Sequence, residues 1–211
     1  MTMSIGARVR QSFGRHEHRV ADLYRGAFLN LRDYAANIAN WTPGATRILE
    51  IGCGEGAMTE ILSTTFPDAH ILAIDITPRL GRLYRGNRDK VEFRQISVQD
   101  LAVQQPGAFD LITLSDVLHH IPPPMRPDVL AAMSRCLAPG GRFLLKDWSH
   151  APTPIHWLCH AGDRWLTGDR VAHLTPEQAV KLVTRSVPKL RLIARGSIRP
   201  WSNNYALTFQ C

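Results

Sequence analysis

Between Ile48 and Leu62 the chain reads ILEIGCGEGAMTEIL, an apolar run that breaks into Gly52, Gly54 and Gly56 and then resumes with helical spacing. Glycines placed so closely allow a tight strand-to-helix turn and let a ligand lie directly against the backbone. A dinucleotide-binding turn spaces its glycines GxGxxG and faces a pyrophosphate with a helix N-terminus. Here the spacing is GxGxG, the small Cys53 lies inside the turn, and Glu50 stands two residues before the first glycine. A carboxylate at that point repels phosphate and attracts a cation, so the expected ligand carries an ammonium or a sulfonium. Farther along, Asp75 closes a second apolar run, and His119 and His120 follow a fourth. Histidine is the side chain best matched to moving a proton near neutral pH. Asp147, His150, His156, His160 and Asp163 are further acid–base candidates. His156 and His160 are four residues apart, but the set matches no closed zinc site, and no metal is expected.

E-x-G-x-G-x-G after a first strand resembles the opening motif of the class I S-adenosylmethionine-dependent methyltransferases, and four more segments resemble later motifs in the same order. They are Asp75 at the end of the second strand, VEFRQISVQDL at the third, FDLITLSDVLHHIP at the fourth and CLAPGGRFLLKD at the fifth, so the resemblance runs from about residue 45 to 147. It is closest to the small-molecule branch of methyltransferase types 11 and 12, similar to the ubiquinone-biosynthesis enzymes with LHH after strand four. The resemblance implies S-adenosyl-L-methionine as cofactor. Contacts are implied at Glu50, Gly52, Cys53, Gly54 and Gly56, ribose recognition at Asp75 with Ile76 beside it, adenine near Ser97 and Val98, and the methyl-donating centre near Ser115. Where this chain has Ile96-Ser97-Val98 the family has Gly-Asp-Ala, so the adenine contact falls to Ser97 or to Asp100. The cofactor carries the reactive methyl, leaving the protein to align an acceptor and remove its proton, a role for His119 or His120.

These residues need a scaffold of alternating strands and helices. Val20, Leu23, Tyr24, Ala27, Leu31, Tyr34, Ala35 and Ile38 recur at helical spacing over 17–39. Strands are expected at 47–51, 70–75, 91–96, 109–115 and 141–147. The helices expected between them lie near 57–65, after the Thr77-Pro78 N-cap signal and over 125–137, with another opened by Thr175-Pro176-Glu177. Arg79, Arg82, Arg85 and Arg88 recur every third residue, as on a solvated helix face. Asp110 suits a turn into strand four. Strands trailed by helices imply a mostly parallel sheet covered on both faces, while the short link between the last two strands demands an antiparallel pair. The expected fold is therefore α/β, Rossmann-like and seven-stranded. As a single domain over 1–211 it has a lid helix at 17–40, a cofactor core at 45–147, an acceptor-side insert at 148–175 and a final helix with strands at 176–211.

Of the 211 residues, 45% are hydrophobic and 20% charged, which excludes a wholly disordered chain. No apolar stretch reaches the ~20 residues of a membrane span, the N-terminus lacks a secretory core, and four cysteines without a CxxC point to a reducing cytoplasm. The net charge of +7 is moderate for a dedicated nucleic-acid binder. It is concentrated late, where Lys181, Arg185, Lys189, Arg191, Arg195 and Arg199 meet no acid after 178. The partner expected is a small, partly apolar acceptor methylated at oxygen, with carbon as the alternative. Rival readings are a methyltransferase acting on RNA or an anionic lipid through the basic stretch, a nicotinamide enzyme, and a non-catalytic binder of the cofactor. The sequence leaves oligomeric state open.

Overall fold

The computed structural model describes residues 31–149, 172–200 and 203–211. His150, His156, His160, Asp163 and most of the predicted N-terminal helix and insert lie outside them. Helix α1 (Leu31–Trp41) is followed by β1 (Arg47–Ile51), α2 (Ala57–Thr65), β2 (His70–Asp75), β3 (Val91–Gln95), α3 (Val98–Gln104) and β4 (Phe109–Ser115). A single 3-10 turn then leads into α4 (Arg126–Cys136), β5 (Leu137–Trp148), α5 (Pro176–Ser186), β6 (Arg191–Ser197) and β7 (Asn204–Gln210).

The seven strands form one sheet in the order β3-β2-β1-β4-β5-β7-β6. Strands β1 to β5 are parallel, and β7 runs antiparallel to both β5 and β6. FDLITLS sits in the middle, buried on both faces, which is why it reads as an almost unbroken apolar run. One face packs Leu49, Ile74, Ile112, Phe143, Leu145, Leu207 and Phe209 against α3, α4 and α5. The other packs Ile48, Ile71, Leu111, Leu144 and Ala206 against Tyr34 and Ile38 of α1 and Leu62 of α2. The described end of the predicted lid helix is thus built into the core. Asp110 ties β4 to the entry of β1, its carboxylate accepting from the Thr46 and Arg47 amides and the Thr46 hydroxyl. Thr175 and Gln178 close a reciprocal capping box at the start of α5.

Two local expectations are corrected. The Thr77-Pro78 signal starts no helix: residues 76–90 run as bends and turns between β2 and β3. The reason is tertiary, since Gly81 and Leu83 donate their amides to the Gly54 and Glu55 carbonyls, hydrogen bonds that a helix would have kept for itself. The four arginines therefore share no helix face. Arg82 pairs with Glu55 at 2.9 Å, and Arg88 lies over the Tyr84 and Phe93 rings while donating to the Gly81 carbonyl. In addition, Pro139-Gly140-Gly141 does not precede β5 but lies within it, as an irregularity between the Phe109–Leu137 and Leu111–Arg142 pairings.

Candidate active site

The glycine turn after β1 folds back onto β2, where the Gly52 and Cys53 amides both donate to the Ile74 carbonyl. Two of its glycines are needed for packing. At φ +76° a Cβ on Gly52 would lie 2.3 Å from Val117, and one on Gly56, at φ +93°, would lie 2.9 Å from Tyr84. Gly54 differs: its φ is +49°, nothing lies within 4 Å of a Cβ built there, and its amide donates to Asp75 Oδ2 at 2.8 Å. The open side of this turn is a cradle for a ligand pressed against the backbone. Cys53 is buried, with a thiol pushed up by desolvation and by the nearby Glu50 and Asp75 carboxylates. That is a packing residue and not a reactive thiolate.

Asp75 spans the turn and the loop beyond β2, accepting from the Gly54 and Thr77 amides and keeping lone pairs for further donors. Ile76, next in sequence, is 74% exposed, a large apolar side chain beside a carboxylate that folding leaves in water. Glu50 is 1% exposed and accepts from the Thr59 hydroxyl at 2.6 Å. Burial pushes its carboxyl up to about 7, against the Thr59 hydrogen bond and with a further rise from Asp75. The residue read from sequence as a cation-attracting carboxylate is thus a buried, desolvated group.

Ser97 is the N-cap of α3. Its hydroxyl accepts from the Asp100 amide and donates to the Asp100 carboxylate at 2.6 Å. Both candidates for the adenine contact are therefore engaged with each other, and Val98 turns its side chain into the core. The S-x-x-D spacing of a helix start was the signal for this cap. Ser115 shares a hydrogen bond with the buried Tyr34 hydroxyl at 3.0 Å.

After β4 the two histidines part ways. His119 is 5% exposed, and its Nδ1 and backbone amide both bond to the buried Asp147 carboxylate. His120 is exposed and lies tilted against it, with ring centroids 4.1 Å apart. His173 stacks on the other side of His119 at 4.8 Å. Arg126 holds the surrounding backbone by donating to the Ile121 and Ala172 carbonyls, while the Ala172 amide donates to the His119 carbonyl. His119, Asp147 and His173 each offer one ligand-type atom, all within 4.8 Å of one another.

A second pair was invisible in the sequence. Asp116 adopts φ +57°, a left-handed conformation that Asp tolerates better than most residues, and its carboxylate holds the buried Lys146 ammonium at 2.5 and 2.7 Å. The carboxyl edge of the parallel strands thus carries Glu50, Asp75, Asp116 and Asp147, of which Asp116 is paired with Lys146. That excess of carboxylate favours a cationic ligand. Arg191 and Arg195 lie on β6, the edge strand farthest in the sheet from β2 and β3. No helix among the described residues is long and apolar enough to cross a membrane.

Comparison with known proteins agrees with this geometry. Residues 49–143 match the family model described as a methyltransferase domain. A ubiquinone biosynthesis O-methyltransferase of Xanthomonas campestris is 37% identical over 125 residues, 57% of this chain and 49% of that protein. The chain spans about half the length of the curated relatives it matches. Among solved structures, the S-adenosylmethionine-dependent methyltransferase SibL superimposes with a TM-score of 0.75 at 15% identity, covering 100% of this chain and 62% of that one. The Burkholderia thailandensis 1,6-didemethyltoxoflavin-N1-methyltransferase, solved with its substrate and S-adenosylhomocysteine, gives 0.66 at 17% identity, covering 97% and 87%. The glycine cradle, the acid closing β2 and the sheet order all fit that fold, and over residues 49–143 the chain is similar to the methyltransferase domain family.

Proposed function

We propose that the protein transfers the methyl group of S-adenosyl-L-methionine to an oxygen of a small, partly apolar acceptor, with His119 as the base and Asp147 as its positioning residue. The observation that carries this reading is the buried His119–Asp147 pair at the carboxyl edge of β4 and β5, the end of an open α/β sheet at which ligands bind. The cofactor supplies an activated methyl on a sulfonium. The chain's own part is to hold it. The Gly52–Gly56 turn backs it, the Asp75 carboxylate takes ribose hydroxyls, Ile76 offers an apolar face to the adenine, and the first amides of α3 at Val98 lie free of helical partners. Glu50 acts through its field. On the acceptor side, His119 accepts the hydroxyl proton while Asp147 fixes the ring's orientation, so the oxygen attacks as it loses its hydrogen. We place the cofactor core at 45–147, with a lid helix at 17–40 and an acceptor-side insert at 148–175, and the enzyme in the cytoplasm.

The glycines separate fold from function. Gly52→Ala is expected to lose on the order of 3 kcal/mol of stability, from left-handed strain and overpacking against Val117. Gly54→Ala should lose only about 1–2 kcal/mol and stay folded. Its damage should appear instead as weaker S-adenosylhomocysteine binding in calorimetry. Equal losses of stability in the two variants would remove Gly54 from the ligand site.

The convergence of His119, Asp147 and His173 raises a metal reading. The Asp147 carboxylate already uses both oxygens on His119, one on the ring Nδ1 and one on the backbone amide. We therefore propose that the histidine–carboxylate pair acts without an ion. Prolonged EDTA treatment should leave turnover unchanged. Loss of turnover with EDTA, restored by one divalent metal, would assign the three side chains to a metal centre.

A further inference from the structure

On the α1 side of the sheet the interior contains a side chain that folding does not explain. Asn204, first residue of β7, is fully buried, yet neither its amide nitrogen nor its amide oxygen has a hydrogen-bond partner. Its backbone is in use, the carbonyl accepting from the Ile198 amide at 2.7 Å. Thr208 and Thr113 also hold unpartnered hydroxyls. A buried polar group without a partner costs on the order of 1–3 kcal/mol, and Asn204 leaves two donors and an acceptor unmet. A leucine or valine would suit a buried strand better.

The register shows what surrounds this amide. Asn204 lies opposite Trp148, and Lys146 lies opposite Ala206, one step diagonally away on the same face. Lys146 lies beneath the Trp148 ring at 5.4 Å and binds Asp116. The next residue of β5, Asp147, points to the opposite face and holds His119. The corner lies at the carboxyl end of β5, where the β4 and β5 strands stand between it and the glycine turn after β1.

We infer that Asn204 is a specificity-determining residue that hydrogen-bonds a neutral group of the acceptor able both to give and to take a hydrogen bond, a hydroxyl or a carboxamide beside an apolar ring. The inference rests on the methyltransferase reading above. A carboxylate there would satisfy only the amide nitrogen, and an ammonium only the amide oxygen.

The test uses full-length protein saturated with S-adenosylhomocysteine and four small probes: phenol, benzamide, benzoate and benzylamine. Ligand-observed NMR should rank phenol and benzamide about tenfold or more tighter than benzoate and benzylamine. Asn204→Leu should abolish that ranking, keep the parental S-adenosylhomocysteine affinity and melt higher than the parent. Asn204→Ser, too small to clash, should weaken the ranking in the same direction. Unchanged ranking in both variants, or no probe binding to the saturated parent, overturns the role of Asn204 and leaves the methyltransferase reading standing. Failure of the parent to bind S-adenosylhomocysteine overturns both.

Discussion

His119→Ala is expected to lower kcat by about 10²–10⁴-fold while leaving S-adenosylhomocysteine affinity within about threefold of the parent. His119 is the histidine whose ring nitrogen is bonded to a buried carboxylate, and such a bond selects one ring orientation and one tautomer. Asp147→Asn should give a loss of the same kind, because the amide can present its NH₂ to Nδ1 and so reverse the tautomer. His120→Ala, which removes an exposed ring tilted against His119, should keep turnover within about threefold. Single-turnover rates with radiolabelled cofactor distinguish a missing base from poor binding. If His119→Ala keeps full turnover, or if His120→Ala is the variant that fails, the base assignment is wrong. The stability cost of His119→Ala is a separate quantity, visible in a melt, and does not affect the comparison of rates per folded molecule.

The parts of this site that were legible in sequence are those whose cause is local. FDLITLS announces a central strand because both of its faces must be apolar, and ILEIGCGEGAM announces a cradle because only glycine turns so sharply between strand and helix. Thr175 and the antiparallel end of the sheet follow from equally short-range chemistry, whereas Asp110, expected to turn the chain into β4, lies within that strand and bonds Thr46 and Arg47, 64 and 63 residues earlier. The misreading after β2 shows the converse. Thr77-Pro78 is a sound N-cap signal, but Gly81 and Leu83 find better acceptors in the glycine turn, more than 25 residues upstream. Long-range hydrogen bonds outweighed a local propensity worth tenths of a kcal/mol per residue. The same reason hid Lys146. A lysine near the end of a strand reads as a surface charge, and its partner Asp116 lies 30 residues away in a conformation that sequence does not display. Nor could spacing separate His119 from His120, since the choice depends on which one meets Asp147 across the β4–β5 pair.

Glu50 sets the second large effect, because stability and binding pull on it in opposite directions. In the unfolded chain its carboxyl titrates at the ordinary 4.5, and in the folded protein burial raises it to about 7. Below pH 4.5 both states hold the proton and the residue contributes nothing. Between 4.5 and 7 the unfolded chain loses its proton first, so the folded state becomes progressively disfavoured. Above pH 7 the penalty levels off at an upper bound of about 3 kcal/mol. Glu50→Gln removes the ionisation and can still accept from the Thr59 hydroxyl. It should therefore melt several degrees above the parent at pH 8 and close to it at pH 4.5. A cationic ligand reverses the balance, since the sulfonium and ammonium of S-adenosylmethionine stabilise the ionised carboxylate. Parental affinity should accordingly rise from pH 6 to pH 8, with uptake of the ligand releasing part of a proton to the buffer. In Glu50→Gln the affinity should fall by about ten- to a few-hundred-fold at pH 8 and lose that pH dependence. Calorimetry in two buffers of different ionisation enthalpy measures the released proton directly. A variant that binds as tightly as the parent at pH 8 would mean that the buried carboxylate serves the fold alone and that the glycine cradle holds its cation by other means.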